Sequence, residues 1–124
     1  MRKFALQYWQ SLLWFVGILY GSFAPKQTLD QRLFLFENQD KVVHGFMYLG
    51  FIFLCLNNTK KAHQITTKMY ALFFVGIAAL SLSIEFLQPI LSNRTCDMMD
   101  FLANLIGAII GLLSFYISFK PSRL

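Results

Sequence analysis

The stretch SIEFLQPILSNRTCDMMDFLAN, residues 83–104, sets a run of polar and ionisable side chains between strongly apolar flanks. The flanks match the whole chain, in which 56% of the 124 residues are hydrophobic and only 14% are charged. Ordinary soluble domains have about 25% charged residues, so lipid is the expected solvent. Because a charged side chain is costly in the hydrocarbon core, we expect Glu85, Asp97 and Asp100 to face other helices and to find partners there.

The apolar residues fall into four blocks, each close to the roughly 17 to 25 residues that cross the membrane as a helix. We predict an all-α membrane protein in which residues 1–124 form one domain, a bundle of four transmembrane helices. A secretory signal cleaved after Ala24 is the alternative for the first block, although Pro25 directly after the cut disfavours it. A soluble helical bundle would need polar helix faces, which the blocks mostly lack. The predicted helices cover about residues 8–24, 40–57, 69–88 and 97–119.

The basic residues predict the orientation of the bundle. Those of the N-terminus, the second loop and the C-terminus fall on one side, and no acidic residue lies among them. By the positive-inside rule this side is the cytoplasm. Both termini are therefore predicted to be cytoplasmic, in a multi-pass protein of the cytoplasmic (inner) membrane. The basic residues concerned are Arg2, Lys3, Lys60, Lys61, Lys68, Lys120 and Arg123.

The remaining features of the loops exclude some functions. The net charge of +5 follows the topology, and the scattered lysines do not form the basic patch that nucleic-acid binding needs.

Cys55 and Cys96 are predicted at opposite membrane surfaces, so no internal disulfide is expected. Leu29, Leu33 and Phe36 are spaced as on a helix, which predicts a short interfacial helix over about residues 28–37. No cofactor is expected.

Three of the predicted helices carry a polar stripe at helical spacing. Because successive helices run in opposite directions, the stripes reach the same depth, within about 10 Å of the external surface. We predict that they line one outward-facing polar pocket. Its residues are Asp40, Lys41, His44, Tyr48, Glu85, Gln88, Arg94, Asp97, Asp100 and Asn104, with Ser81 beside them.

The same side chains also have a purely structural interpretation. Polar groups inside a membrane protein can simply hold helices together, with hydrogen bonds worth about 0.6 kcal/mol each. The expected pairs are Arg94 with Asp97 or Asp100, and Asn104 with Gln88 or Ser81.

Gly107 and Gly111 continue the polar stripe of the fourth helix as a small-xxx-small motif. Such motifs let two helix backbones approach closely. Because the stripe already faces inward, we expect the two glycines to pack within the bundle rather than in a dimer interface.

The order and spacing of these residues resemble the VanZ-like family of small bacterial integral membrane proteins. The family is named for a protein that raises resistance to the antibiotic teicoplanin, and the resemblance implies a cell-envelope context without an established reaction. Departures are the loop after Gln88-Pro89, where relatives often carry a proline-glycine turn, and Cys96, at a site that is often apolar or aromatic. The resemblance lies in Ser22-x-x-Pro25, Asp40-Lys41-x-x-His44-x-x-x-Tyr48, Glu85-x-x-Gln88 and Arg94-x-x-Asp97-x-x-Asp100-x-x-x-Asn104-x-x-Gly107-x-x-x-Gly111.

Three functions remain open, and the first is binding of a cell-envelope component with a link to glycopeptide tolerance. The ligand would be a lipid-linked precursor or an anionic lipid headgroup, with Arg94 and Lys41 contacting phosphate or carboxylate. Gln88 and Asn104 would donate hydrogen bonds. Lys41, at a helix end, would alternatively extend to the interface without binding anything. Membrane lipids, and a second copy of the chain, are the expected partners.

The second function is a membrane enzyme that acts on such a lipid, with His44, Glu85 and Asp100 as catalytic candidates. His44 beside Asp40, or Glu85, would be the general base, and Arg94 would stabilise developing negative charge. No metal is expected, because a single histidine without a paired ligand motif is a weak metal site. In the third function, Glu85 and His44 relay protons in a small carrier, which oligomerisation could complete.

Overall fold

The computed structural model describes residues 1–24, 39–61, 64–92 and 94–119. These residues form four α-helices, and this part of the chain contains no strand. The prediction of an all-helical bundle of four helices is confirmed. The predicted interfacial helix over 28–37 lies outside the described residues. The helices are α1 (Arg2–Phe23), α2 (Gln39–Lys60), α3 (Thr67–Leu91) and α4 (Met98–Ser118).

Side-chain caps set the starts of the last two helices. The Thr66 hydroxyl accepts the Met69 N–H at 3.4 Å ahead of α3. The Asp97 carboxylate accepts the Met99 N–H at 2.8 Å ahead of α4. Each cap satisfies one of the backbone donors that a helix start leaves unpaired. In contrast, α1 begins without a side-chain cap, at Arg2 rather than at about residue 8, because apolar residues continue through its first turns.

Pro89 lies inside α3, and the helix continues to Leu91, whereas the sequence suggests an end or a kink at the proline. Proline lacks the N–H that would bond to the carbonyl four residues earlier, here that of Glu85. In the last turn this removes only one helical bond. The Ser92 N–H then closes the turn on the Gln88 carbonyl at 2.9 Å, so the proline is tolerated.

Three of the described helices, α2, α3 and α4, are long and apolar enough to cross a membrane. Helix α1, the fourth predicted span, is not among them, because Gln7, Gln10 and Ser11 interrupt its apolar surface. It nevertheless runs along the bundle from end to end. Gln7 Nε2 donates to the Asn58 carbonyl at 3.0 Å near the start of α1, and the Gly21 carbonyl near its end accepts from Arg94 at 2.8 Å. A fourth span therefore stays a prediction.

Helices α2 and α4 share the largest contact of the bundle. Gly107 of α4 lies against the backbone of Gly45 in α2, where a Cβ would sit 2.7 Å from the Gly45 carbonyl carbon. One turn further, a Cβ on Gly111 would sit 2.7 Å from the Leu49 carbonyl oxygen. The glycines thus pack within the bundle and bring the polar stripes of α2 and α4 together.

The two ends of the bundle differ in chemistry. We call the end at which α1 and α3 finish and α2 and α4 begin the site end, and the other the lysine end. Near the lysine end, the fully buried Phe115 packs edge-on against Phe53, with 5.5 Å between the ring centroids. The Lys60 ammonium lies 3.5 Å from the ring centroid of Phe119, a cation–π contact. The described lysines of this end are Lys3, Lys60, Lys61 and Lys68.

Candidate functional site

A cluster of polar side chains fills the core at the site end of the bundle. All four helices contribute, either with a side chain or with a backbone carbonyl. Polar groups are rarely placed in a membrane-protein core unless they pair or serve a function. This polar cluster consists of the buried Ser22, His44, Tyr48, Ser81, Glu85, Gln88, Arg94, Asp100 and Asn104, with Lys41 and Asp97 at its rim.

Two hydrogen bonds join α3 to α4 within the polar cluster. Asn104 Nδ2 donates to Ser81 Oγ at 2.8 Å, and both residues are almost completely buried. Glu85 Oε2 accepts the Asp97 N–H at 3.2 Å. The structural pair of Asn104 with Ser81 expected from the sequence is thus present.

Lys41 links α2 to α4 through two carboxylates. Its Nζ lies 3.3 Å from Asp97 Oδ2 and 3.4 Å from Asp100 Oδ1. The Asp100 carboxylate also faces His44, with 3.9 Å between its Oδ2 and Nε2. That distance is too long for a hydrogen bond but close enough for an electrostatic interaction. Lys41 therefore forms ion pairs with both Asp97 and Asp100, which is more than a lysine that only extends toward the interface would do.

Helix α1 closes the polar cluster with backbone carbonyls. Arg94 Nη1 donates to the Gly21 carbonyl at 2.8 Å, and Gln88 Nε2 donates to the Ser22 carbonyl at 2.9 Å. The expected pairing of Arg94 with Asp97 or Asp100 is wrong, because Lys41 occupies both carboxylates. Within the described part of the chain, no carboxylate lies within 4.0 Å of the Arg94 guanidinium.

The remaining predicted residues of α2 lie on either side of this network. Asp40 is half-buried in the first turn of α2, and its charge acts on Lys41 and His44. Tyr48 is fully buried one turn below His44, and its hydroxyl faces Ser81 without forming a well-aligned hydrogen bond. The structure thus brings all ten predicted site residues to one end of the bundle.

Several buried polar atoms of the polar cluster have no hydrogen-bond partner among the described residues. An unpaired buried donor or acceptor costs about 1–3 kcal/mol, and native proteins leave few of them unless water or a ligand completes the bonding. Among the described residues, six of the eight such atoms lie in the polar cluster, and the other two, Asn58 Oδ1 and Tyr70 OH, lie near the lysine end. The six atoms of the polar cluster are Ser22 Oγ, His44 Nδ1, Tyr48 OH, Glu85 Oε1, Gln88 Oε1 and Asn104 Oδ1.

Asp97 is the carboxylate of the site that lies outside the helices. The Met99 N–H, which bonds to its carboxylate, holds the pKa of Asp97 below its ordinary value, and the Lys41 ammonium adds to this effect. The Asp97 side chain is 41% exposed. Asp97 is therefore an ionised, partly solvated group at the entrance to the buried side chains.

A second group of polar side chains lies near the lysine end, and it was not predicted from the sequence. There Asn58 Nδ2 donates to Ser11 Oγ at 2.8 Å, and the Tyr8 and Thr59 hydroxyls share a hydrogen bond of 2.9 Å. Asn57, Asn58 and Thr59 directly follow the apolar run of α2, and this short polar run was the available signal. These bonds attach α1 to α2.

A groove of about 460 Å³ lies between α1 and α2, beside the polar cluster rather than within it. It is almost entirely apolar. Side chains that line the groove include Trp9, Leu13, Trp14, Ile18, Met47 and Leu54.

Among the described residues, no group of three His, Cys, Asp or Glu side chains could hold a metal ion.

Comparison with protein-family models matches residues 4–119 to VanZ/LLP1. Comparisons with curated proteins and with solved structures gave no match. The family match covers nearly the whole chain, including every residue of the polar cluster and the two packing glycines. It agrees with the order of polar stripes in the sequence and with the helical bundle that can span a membrane. The chain therefore belongs to the VanZ/LLP1 family.

Proposed function

We propose that the protein binds the phosphate-bearing headgroup of a cell-envelope lipid, either a phospholipid or a lipid-linked precursor, in the polar cluster. The observation that carries the proposal is the set of six buried and unpartnered polar atoms at the site end. Hydrogen bonds between helices account for Asn104 with Ser81 and for Gln88 with the Ser22 carbonyl. They leave the side-chain oxygens Asn104 Oδ1 and Gln88 Oε1 unpaired, and a headgroup would satisfy them.

Arg94 supplies the positive charge that a phosphate requires. Lys41 is already paired with Asp97 and Asp100, whereas Arg94 donates to a neutral backbone carbonyl. Its guanidinium is planar and carries several N–H donors, so it can keep the Gly21 bond and still offer donors to a phosphate. The sequence suggested that both Arg94 and Lys41 contact the anion. In this proposal Arg94 alone has that role.

The unpartnered oxygens of Glu85, Gln88 and Asn104 suit the hydroxyl groups of a headgroup. An amide or carboxyl oxygen accepts the O–H of a glycerol or sugar. His44 Nδ1 adds a further polar atom from α2. A headgroup that carries both a phosphate and hydroxyls matches this set of donors and acceptors.

In this proposal the site end faces away from the cytoplasm, in the outer half of the cytoplasmic membrane. No acidic residue lies next in sequence to the described lysines of the lysine end. An excess of basic residues of this kind is typical of cytoplasmic loops. Lipid-linked envelope precursors and phospholipid headgroups are both found at that depth. If the ligand is a precursor, loss of the protein is expected to change susceptibility to glycopeptides.

Native mass spectrometry of the gently extracted protein tests this proposal. The wild-type protein is expected to retain a lipid, whose mass names the headgroup. Arg94→Lys keeps the charge but loses the planar donor set, and Asn104→Leu removes a pair of polar atoms, so both variants should retain less of it. Ser83→Ala is the control, because Ser83 is exposed and bonds only to the Ala79 carbonyl of its own helix. Equal retention by all four proteins, or none by the wild type, would contradict the proposal.

A second candidate, hydrolysis or transfer at the bound lipid, is favoured by one observation at His44. Nε2 faces the Asp100 carboxylate while Nδ1 is buried and unpartnered. A carboxylate on one ring nitrogen and a free second nitrogen is the arrangement of a general base. Turnover of the copurified lipid, lost in both His44→Asn and Glu85→Gln, would support this function, and turnover that survives both changes would exclude it.

A further inference from the structure

The groove between α1 and α2 has the size and the lining of a binding site for an apolar group. Its volume of about 460 Å³ falls within the roughly 300–1,000 Å³ of small-molecule sites. It extends on α1 from Trp9 to Ile18, which is about 14 Å along the helix axis at 1.5 Å per residue. An elongated, mostly apolar space of this kind fits an alkyl chain.

One wall of the groove is fixed in place by Trp14. Its indole Nε1 donates to the Met47 carbonyl at 2.6 Å. The ring lies over Gly50, where a Cβ would come within 2.7 Å of its Cε2 atom. Because α2 has a glycine at this position, the indole packs directly against the α2 backbone.

Gly17 keeps the groove open on the side of α1. It lines the groove, and a Cβ added there meets no heavy atom within 4 Å. A side chain at this position would extend into the groove. The space therefore depends on the absence of a side chain at residue 17 as well as on the position of Trp14.

The groove ends one helical turn from the polar cluster. Ile18 lines the groove and Ser22, one turn further along α1, belongs to the polar cluster. On α2, Met47 lines the groove three residues after His44. The same stretch of α1 that ends the groove holds Arg94 through the Gly21 carbonyl. A molecule with a polar head and an apolar chain could thus reach both the polar cluster and the groove.

We propose that this groove holds the alkyl chain of the lipid whose headgroup binds the polar cluster. The inference rests on the proposed function and deepens it, because it restricts the ligand to lipids whose chain lies next to the headgroup. It also gives α1, the helix that is not among the candidate membrane spans, a binding role in addition to its packing.

The two tryptophans of the chain, Trp9 and Trp14, both line the groove and report on its contents. The protein is placed in phosphatidylcholine vesicles that contain a rising share of phosphatidylglycerol brominated in its acyl chains, since bromine quenches indole fluorescence on contact. A chain bound in the groove is expected to quench at a low share and then to saturate. Quenching by bulk lipid instead rises in proportion to the share.

Gly17→Leu fills the groove and is expected to weaken the saturable quenching at least about tenfold in apparent affinity. Gly76→Leu is the matched control, because Gly76 is an exposed helical glycine on α3 whose Cβ also meets nothing within 4 Å. Leu54→Phe narrows the groove from α2 and gives a second variant should Gly17→Leu not fold.

The two proposals fail in different ways in this experiment. If the groove-filling variants quench like the wild type while Arg94→Lys loses the saturable phase, the groove inference is overturned and headgroup binding stands. If Arg94→Lys keeps the saturable phase and Gly17→Leu loses it, the headgroup proposal is overturned and the groove remains the chain site. A wild-type protein without a saturable phase would contradict both.

Discussion

The Glu85 carboxylate accepts the backbone N–H of Asp97 at 3.2 Å. Glu85 is fully buried in α3, and Asp97 is the residue that caps α4. One side chain therefore fixes where the loop between the two helices ends and how deep the fourth helix begins. The position of Asp100 and Asn104 opposite Glu85 follows from this contact.

Replacement of Glu85 by leucine is expected to destabilise the bundle by about 1–3 kcal/mol, because the Asp97 N–H loses its acceptor. Glu85→Gln keeps an acceptor oxygen at the same place and should cost less. Thermal unfolding in detergent micelles measures both, with Ser83→Ala as the control on the exposed face of α3. Equal midpoints for the leucine and glutamine variants would show that the contact does not hold the loop.

Lys41→Met is expected to destabilise the protein by about 1–3 kcal/mol, since the buried Asp100 carboxylate loses its ion-pair partner. Addition of Asp100→Asn removes the uncompensated charge and should restore much of the loss. The double variant, compared with each single variant, gives the coupling between the two residues. Lys61→Met, at an exposed position of the lysine end, is the control. Additive effects of the two changes would mean that the pair contributes no coupling.

Gly107→Ala is expected to force α2 and α4 apart, because the new Cβ would overlap the Gly45 backbone. Overpacking of this kind costs about 1–3 kcal/mol. Gly76→Ala adds a methyl group in open space and should leave stability unchanged or raise it. The free energy of unfolding of the two variants tests the packing of Gly107 within one chain. Equal values would argue against that packing.

Asp97 makes stability depend on pH in the acidic range. Its pKa is lowered in the folded protein, so the stability it contributes is complete above its ordinary value of 3.8 and is lost as the pH falls through the lower folded value. The wild type should therefore lose more stability than Asp97→Asn on acidification from about pH 5 to about pH 3. The difference should stay below about 1 kcal/mol, because the carboxyl is partly exposed and screened. A steeper loss for Asp97→Asn would contradict the assignment.

Cys96 reports which side of the membrane the site end faces. It is exposed in the loop before α4, so a membrane-impermeant thiol reagent added to intact cells should label it in a Cys55→Ser background. Labelling only after the membrane is opened would reverse the proposed orientation. A cysteine introduced at Lys61, on the lysine end, should behave in the opposite way.

The helical bundle was predictable because its strongest signals are local. Four apolar blocks and their spacing predicted the number of helices, whereas the cap that Asp97 supplies to the last helix was not predicted. The end of α3 was predicted too early, at about residue 88 rather than at Leu91. The cost of Pro89 depends on how many helical turns follow it, and here it lies in the last turn. Helix α1 was predicted as a membrane span, but Gln7 and Gln10 reduce its apolar character, and it is not among the candidate spans.

Most members of the polar cluster were also predictable, since helical spacing alone places Glu85 beside Gln88 and Asp100 beside Asn104, whereas Ser22 was not among the predicted site residues. The partners were not, because they depend on distances between helices. Lys41 reaches both carboxylates of α4, and Arg94 turns to a backbone carbonyl of α1 that carries no signal in the sequence. The groove was missed for the same reason. It results from two glycines, Gly17 and Gly50, on different helices.

The side-chain amides of the two ends give the most direct test of headgroup binding. In a ¹⁵N-labelled protein in zwitterionic micelles, addition of phosphatidylglycerol should shift the amide signals of Gln88 and Asn104 and saturate them. The amide of Asn58, buried at the lysine end, should stay in place. Equal drift of all three signals with lipid content, or no shift at the site end, would contradict a binding role for the polar cluster.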